Sequence, residues 1–135
     1  MLLRAIIVGL AGGALTSVVG WSSFIPDHIA YHAVWLAVIG AIYLGFAFLD
    51  GRIGIVILEF SVATVFLVLA FLGLWRAPGL IAIGLVLHGV WDLAHRPNGI
   101  KTRIPGWYPA FCAAFDFVFA GAFFVLARDL AARST

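Results

Sequence analysis

The chain has 135 residues, 64% of them hydrophobic and 10% charged, and a mean hydropathy of +1.15. Eight Lys and Arg against six Asp and Glu give a formal charge of +2. So little polar surface cannot cover a water-soluble globule, and basic residues scattered over loops and ends form no face for nucleic acid. The chain therefore reads as an integral membrane protein, with nucleic acid excluded as a partner.

Five apolar runs follow one another: residues 2–21, 30–49, 53–75, 79–95 and 108–127. Each is near the ~20 residues that cross ~30 Å of hydrocarbon at ~1.5 Å per residue, so the reading is all-α, a single transmembrane domain over 1–135 with about five spans. The first run, with Arg4 ahead of it, resembles a signal peptide but is expected to remain as a span. The fourth is the shortest. Gly9 and Gly13, spaced by four, with Gly40, Gly84, Gly89 and Gly121, are the small residues from which membrane helix contacts are built.

The loops are short, as in "DGR" and "RAP". The longer "RPNGIKTRIPGW" is basic, turn-rich and closed by Trp107 and Tyr108, which suit an interface. Pro97, Pro105 and Pro109 read as loop shaping and a span start. With five spans, Arg4, Arg52, Arg96, Lys101 and Arg103 share one side and Arg76, Arg128 and Arg133 the other. The positive-inside rule then places the N-terminus in the cytoplasm, and the protein is expected to be multi-pass in the inner (plasma) membrane.

Ionisable groups inside a span cost roughly 2.5–3.5 kcal/mol each at the helix centre, so each needs a reason. Here they are Glu59, His88, Asp92, His95 and Asp116, with Cys112 as a softer companion. At ~100° per residue His88, Asp92 and His95 share one narrow face, with Trp91 at its edge, and Cys112 and Asp116 share a face of the fifth span. Counting ~1.5 Å per residue from the loops puts Asp116 level with His88, Cys112 level with Trp91 and Asp92, and Glu59 level with Asp92 to His95. Equal depth on three helices is what a shared site requires. The last three helices are therefore expected to enclose a polar pocket near the cytoplasmic face.

Asp27, His28 and His32 fall at the opposite end and read as interfacial polar residues, whereas Asp50 and Arg52 read as a solvated loop pair. Trp91, Trp107 and Tyr108 read as packing or interface anchors, and Gly84 as a packing position. The single Cys112 allows no internal disulfide.

Imidazole and carboxylate at i, i+3 or i, i+4 suit a divalent metal, zinc or iron, so His88 or His95 with Asp92, completed by Glu59 or Asp116, is the expected ligand set. His88 and His95 lie ~10 Å apart along the axis, too far for one ion. The same groups could do acid and base chemistry without a metal, with Cys112 a weaker option as nucleophile. The preferred reading is a metal-dependent or acid–base enzyme, a hydrolase, isomerase or cyclase. Its substrate is a membrane lipid or lipid-soluble small molecule, and a homo-oligomer is allowed. The alternative is a non-catalytic proton or ion conduit, carrier or complex subunit, which would need polar groups continuing to the opposite face.

The run "GLVLHGVWDLAHRPNG" followed by "IPGWYPAFCAAFDFVFAGAFF" resembles the uncharacterised family of small bacterial integral membrane proteins called domain of unknown function 6010. Its pattern of His, three residues, Asp, two residues, His, then Cys, three residues, Asp corresponds here to His88, Asp92, His95, Cys112 and Asp116. "LEF" at 58–60 looks like its glutamate-bearing third span. The resemblance is strong in the second half and one of hydropathy in the first. It supports the set of residues and supplies no reaction.

Overall fold

A computed structural model describes residues 1–95, 99–100 and 102–133. Residues 96–98 and 101, which include Arg96, Pro97 and Lys101 of the expected basic turn, lie outside the described residues. The described residues form five helices: α1 (Leu2–Trp21), α2 (His28–Asp50), α3 (Ile53–Trp75), α4 (Gly79–Ala94) and α5 (Tyr108–Arg133). Among the described residues there is no strand.

Helices α1 and α3 begin and end where the hydropathy changes. Helix α2 starts two residues early because Asp27 caps it, its carboxylate accepting the Ala30 N–H at 2.8 Å. It ends at Gly51, whose φ of 76° is the left-handed geometry that glycine adopts without strain. Helix α5 runs six residues past the apolar stretch, because "RDLAAR" consists largely of good helix formers.

Helices α1, α2, α3 and α5 are long and apolar enough to cross a membrane, whereas α4 has 16 residues, about 24 Å of helix against ~30 Å of hydrocarbon. That short helix lies between α3 and α5 and also touches α2, while α1 packs mainly along α5 and α2 along α3. Its inward face, including Ile81, Leu85, His88 and Asp92, is consequently buried. Around it the outward faces are apolar and exposed, as at Ile57, Phe60, Leu67 and Phe71 of α3. In water this surface would be prohibitive; in lipid it is the natural solvent-facing side.

Small residues set the helix spacing. A Cβ on Gly9 would stand 2.3 Å from the Phe111 carbonyl oxygen, and one on Gly13 2.6 Å from that of Phe115, so α1 and α5 meet backbone to backbone. Gly40, Gly84 and Gly89 are filled against Phe66, Leu36 and Phe117, so Gly84 serves packing. Gly121 is different, with open space beside it. At the end bearing the α2–α3 and α4–α5 loops, Asp50 grips Arg52 in a two-pronged pair (2.5 and 2.7 Å) and accepts the Arg103 N–H at 2.9 Å, tying the loops together.

Candidate functional site

The polar stripe of α4 faces inward at this end of the bundle. His88 and Asp92, one turn apart, are 1% and 0% exposed, and Asp116 of α5 reaches across at 1%. His88 Nδ1 is 2.5 Å from Asp116 Oδ2 and 3.6 Å from Asp92 Oδ2. One ligand atom from each of the three residues lies within 4.8 Å of the others, a group that could hold a metal ion.

The hydrogen bonding within the group is incomplete. Neither oxygen of Asp92 makes a well-formed hydrogen bond, nor does His88 Nε2, although the Tyr43 hydroxyl and the Asp116 carboxyl stand beside Asp92. A buried carboxylate without well-formed hydrogen bonds costs several kcal/mol, a cost that a cation or a proton would relieve. The donor set fits a divalent ion: two carboxylates and one imidazole leave a position open, as in catalytic zinc sites. Tetrahedral ligation at ~2.0–2.1 Å places donor atoms about 3.3 Å apart. The His88–Asp92 spacing is already close to that, and the His88–Asp116 spacing would have to open by less than 1 Å.

Glu59 and His95 form a second, adjoining cluster. Glu59 Oε1 accepts from His95 Nε2 at 2.8 Å and from the Thr102 hydroxyl at 2.6 Å, and Oε2 accepts from Trp91 Nε1 at 3.2 Å. The other ring nitrogen of His95 donates to the Trp91 carbonyl at 2.9 Å, so the ring is held at both nitrogens. Both carboxylate oxygens are thus engaged. This cluster joins α3, α4 and the α4–α5 loop without competing for the ligands around His88.

Tyr43 of α2 separates the two clusters. Its ring stacks on His95 at 4.1 Å and lies 6.0 Å from His88, and its buried hydroxyl stands beside Asp92 without a well-formed hydrogen bond. Beside it is a cavity of about 220 Å³ between α2, α4 and α5. Tyr43, His88, Cys112 and Asp116 form its buried back wall, and Trp35, Ile42, Phe111 and Phe115 its partly exposed rim.

The depth count from the sequence holds: Asp116 meets His88, and Glu59 meets His95 and Trp91. The enclosure differs from the expectation, since the cavity is bounded by α2, α4 and α5, not by the last three helices, and α3 sends Glu59 to the neighbouring cluster. Glu59 and His95 therefore lie outside the three-residue group, which is completed by Asp116. Trp91 is a hydrogen-bond donor to Glu59 as well as a packing residue.

Tyr43 and Thr102 escaped the sequence reading, and Tyr108, expected as a packing or interface anchor, also lines the cavity. Tyrosine and threonine carry no formal charge, and only the proximity of "YLGF" to the α2–α3 loop signalled that Tyr43 shares the depth of His95. Asp27 and His28 sit at the opposite end as expected, the first capping α2 and the second donating to the Gly20 carbonyl at 2.7 Å. His32, read as interfacial, is wholly buried, with its ring against Phe119 and Phe123 at 4.7 and 4.4 Å. One further turn along α2 carries it inward. A family model described as "Family of unknown function (DUF6010)" matches residues 1–129, extending the likeness over the first half of the chain as well. No curated protein and no solved structure matches.

Proposed function

Since the chain belongs to this family of unknown function, whose description names no reaction, we propose from the site alone that it is a metal-dependent enzyme acting on a lipid-soluble substrate. The observation that carries the reading is Asp92: wholly buried, with neither oxygen in a well-formed hydrogen bond, beside Asp116 and His88. His88, Asp92 and Asp116 would hold the ion. A divalent cation there supplies Lewis acidity toward a carbonyl or ester oxygen and activates a bound water.

The chain's own groups do the rest. Tyr43 presents a buried hydroxyl beside Asp92 that can turn to donate to a substrate oxygen. The aromatic and aliphatic walls exclude water, which strengthens every polar contact inside. Glu59, holding His95 and Trp91, fixes the stacked position of Tyr43 through His95. Stacking and hydrogen bonding together make Glu59 a positioning residue.

The conduit reading has less support. From His88 toward the far end, the core is mostly apolar, with Leu36, Leu85, Phe119 and Phe123 each without exposure, and His32, packed between Phe119 and Phe123, is a lone polar group in that stretch, too little for a continuous path. A blind pocket fits an enzyme better.

The test is elemental analysis of protein purified in mild detergent after growth with zinc and iron, with Asp92→Asn and Asp116→Asn alongside. The expected result is about one equivalent of metal per chain, with affinity lowered 10-fold or more in each variant. Wild-type protein that retains no metal and does not gain thermal stability on adding zinc or iron would overturn the metal reading. Turnover of a lipid that persists after chelation would transfer the chemistry to the His88–Asp116 pair as acid and base.

A further inference from the structure

The cavity is placed between two helices that do not pack along each other. Helices α2 and α5 are bridged by aromatic side chains at two levels. Toward the far end Trp35 meets Phe115 and Phe119 at 5.9 and 6.2 Å, and toward the loops Phe46 and Tyr43 meet Tyr108 at 5.2 and 6.2 Å. Between these bridges Ile39 and Ile42 face Phe111 and Cys112 across the cavity. Exposure runs from partly exposed Trp35, Ile42, Phe111 and Phe115 to almost fully buried Tyr43, His88 and Asp116. An apolar rim on the lipid side with a polar floor is the outline of a lateral window.

Size and charge narrow the occupant. At about 220 Å³ the cavity is below the roughly 300–1,000 Å³ of pockets that enclose a whole drug-sized ligand. It can take the end of a chain while the remainder stays in the bilayer. The floor carries the Asp116 carboxyl, with Asp92 behind it in the same group, and its lining holds no Lys or Arg, which disfavours an anionic head, and the apolar walls cannot solvate a cationic one. An uncharged oxygen head finds suitable partners in the Tyr43 hydroxyl and His88 Nε2, neither of which makes a well-formed hydrogen bond.

We infer that the substrate is a single-chain lipid with an uncharged oxygen-bearing head, an alcohol, aldehyde or ester, which slides head first from the bilayer through the window between α2 and α5. The inference rests on the His88, Asp92 and Asp116 group being the reacting site.

The experiment uses the full chain in phosphatidylcholine vesicles with a hexadecanol bearing a diazirine next to its hydroxyl, photolysed and mapped by peptide mass spectrometry. Adducts are expected on Tyr43, His88 or Cys112, in excess over the lipid-facing Leu67 and Phe71 of α3. Ile42→Trp, which fills the window, lowers floor labelling about tenfold, and Phe111→Ala, which widens it, raises labelling. Adducts confined to lipid-facing residues, or floor labelling indifferent to both variants, overturn the inference. Metal content is read on the same preparations. Labelling of the floor without bound metal refutes the metal reading and leaves the window standing. Bound metal without floor labelling refutes the window alone.

Discussion

Replacing Glu59 by Gln tests how much of the bundle depends on the second polar cluster. The wild-type carboxylate is 1% exposed and accepts three hydrogen bonds, two at Oε1 and one at Oε2. An amide offers a single acceptor oxygen. Turned toward His95 and Thr102, it leaves its NH₂ facing the Trp91 N–H, donor against donor; turned the other way, it abandons two bonds. The better arrangement loses one bond to a charged acceptor, ~1.5–3 kcal/mol, and strands a donor at ~1–3 kcal/mol, so a loss of about 2.5–6 kcal/mol is expected. Trp91 is only partly buried, which favours the lower half of that range. The assay is reversible unfolding in mixed detergent micelles, followed by tryptophan fluorescence, since Trp91 reports directly on the contact. Thr102→Val should cost ~1–2 kcal/mol alone, and the double variant should depart from additivity by at least ~0.5 kcal/mol. Metal content should be unchanged, because Glu59 stands apart from the group around His88. Glu59→Gln within ~0.5 kcal/mol of wild type, or strict additivity with Thr102→Val, would refute the reasoning.

Gly9→Ala and Gly13→Ala should each destabilise by ~1–3 kcal/mol, because the added methyl group lands on a carbonyl oxygen of α5 and forces the helices apart. Gly121→Ala, with open space at that position, serves as the control and should be neutral or slightly stabilising in the same unfolding titration. His32→Phe should stay within ~1 kcal/mol of wild type and leave metal binding intact. It keeps the ring between Phe119 and Phe123, and the removal of the unpartnered Nε2 offsets the loss of the Nδ1 bond to the His28 carbonyl at 2.7 Å. A loss of metal in that variant would show that His32 belongs to the site.

Helix positions and the depths of the titratable groups on α3, α4 and α5 could be read from the chain alone, for one reason. Rise per residue and the thickness of hydrocarbon are fixed, so counting from a loop gives a height: Asp116 opposite His88 and Glu59 opposite His95 both follow from that count. The cap at Asp27 is not part of that reading: the residue is expected only as an interfacial polar group, and an apolar run that begins at residue 30 does not show the hydrogen bond that starts the helix earlier. Height, however, says nothing of azimuth between helices. Whether α2 or α3 faces the cavity depends on how helices rotate and pack.

The sequence by itself determined a helical membrane bundle and placed titratable groups of neighbouring helices at matching heights, Asp116 with His88 and Glu59 with His95, because both follow from the hydropathy and geometry of single helices. The tertiary structure decided how those groups are divided. Helices α4 and α5 bring His88, Asp92 and Asp116 into one group, while α3 and the α4–α5 loop claim His95 through Glu59 and Thr102. It also brought Tyr43 of α2 between them and left a cavity beside it. These are packing outcomes: close contacts at glycines such as Gly9, Gly13 and Gly84 fix which helix faces turn toward each other, and no periodicity within one helix encodes that choice.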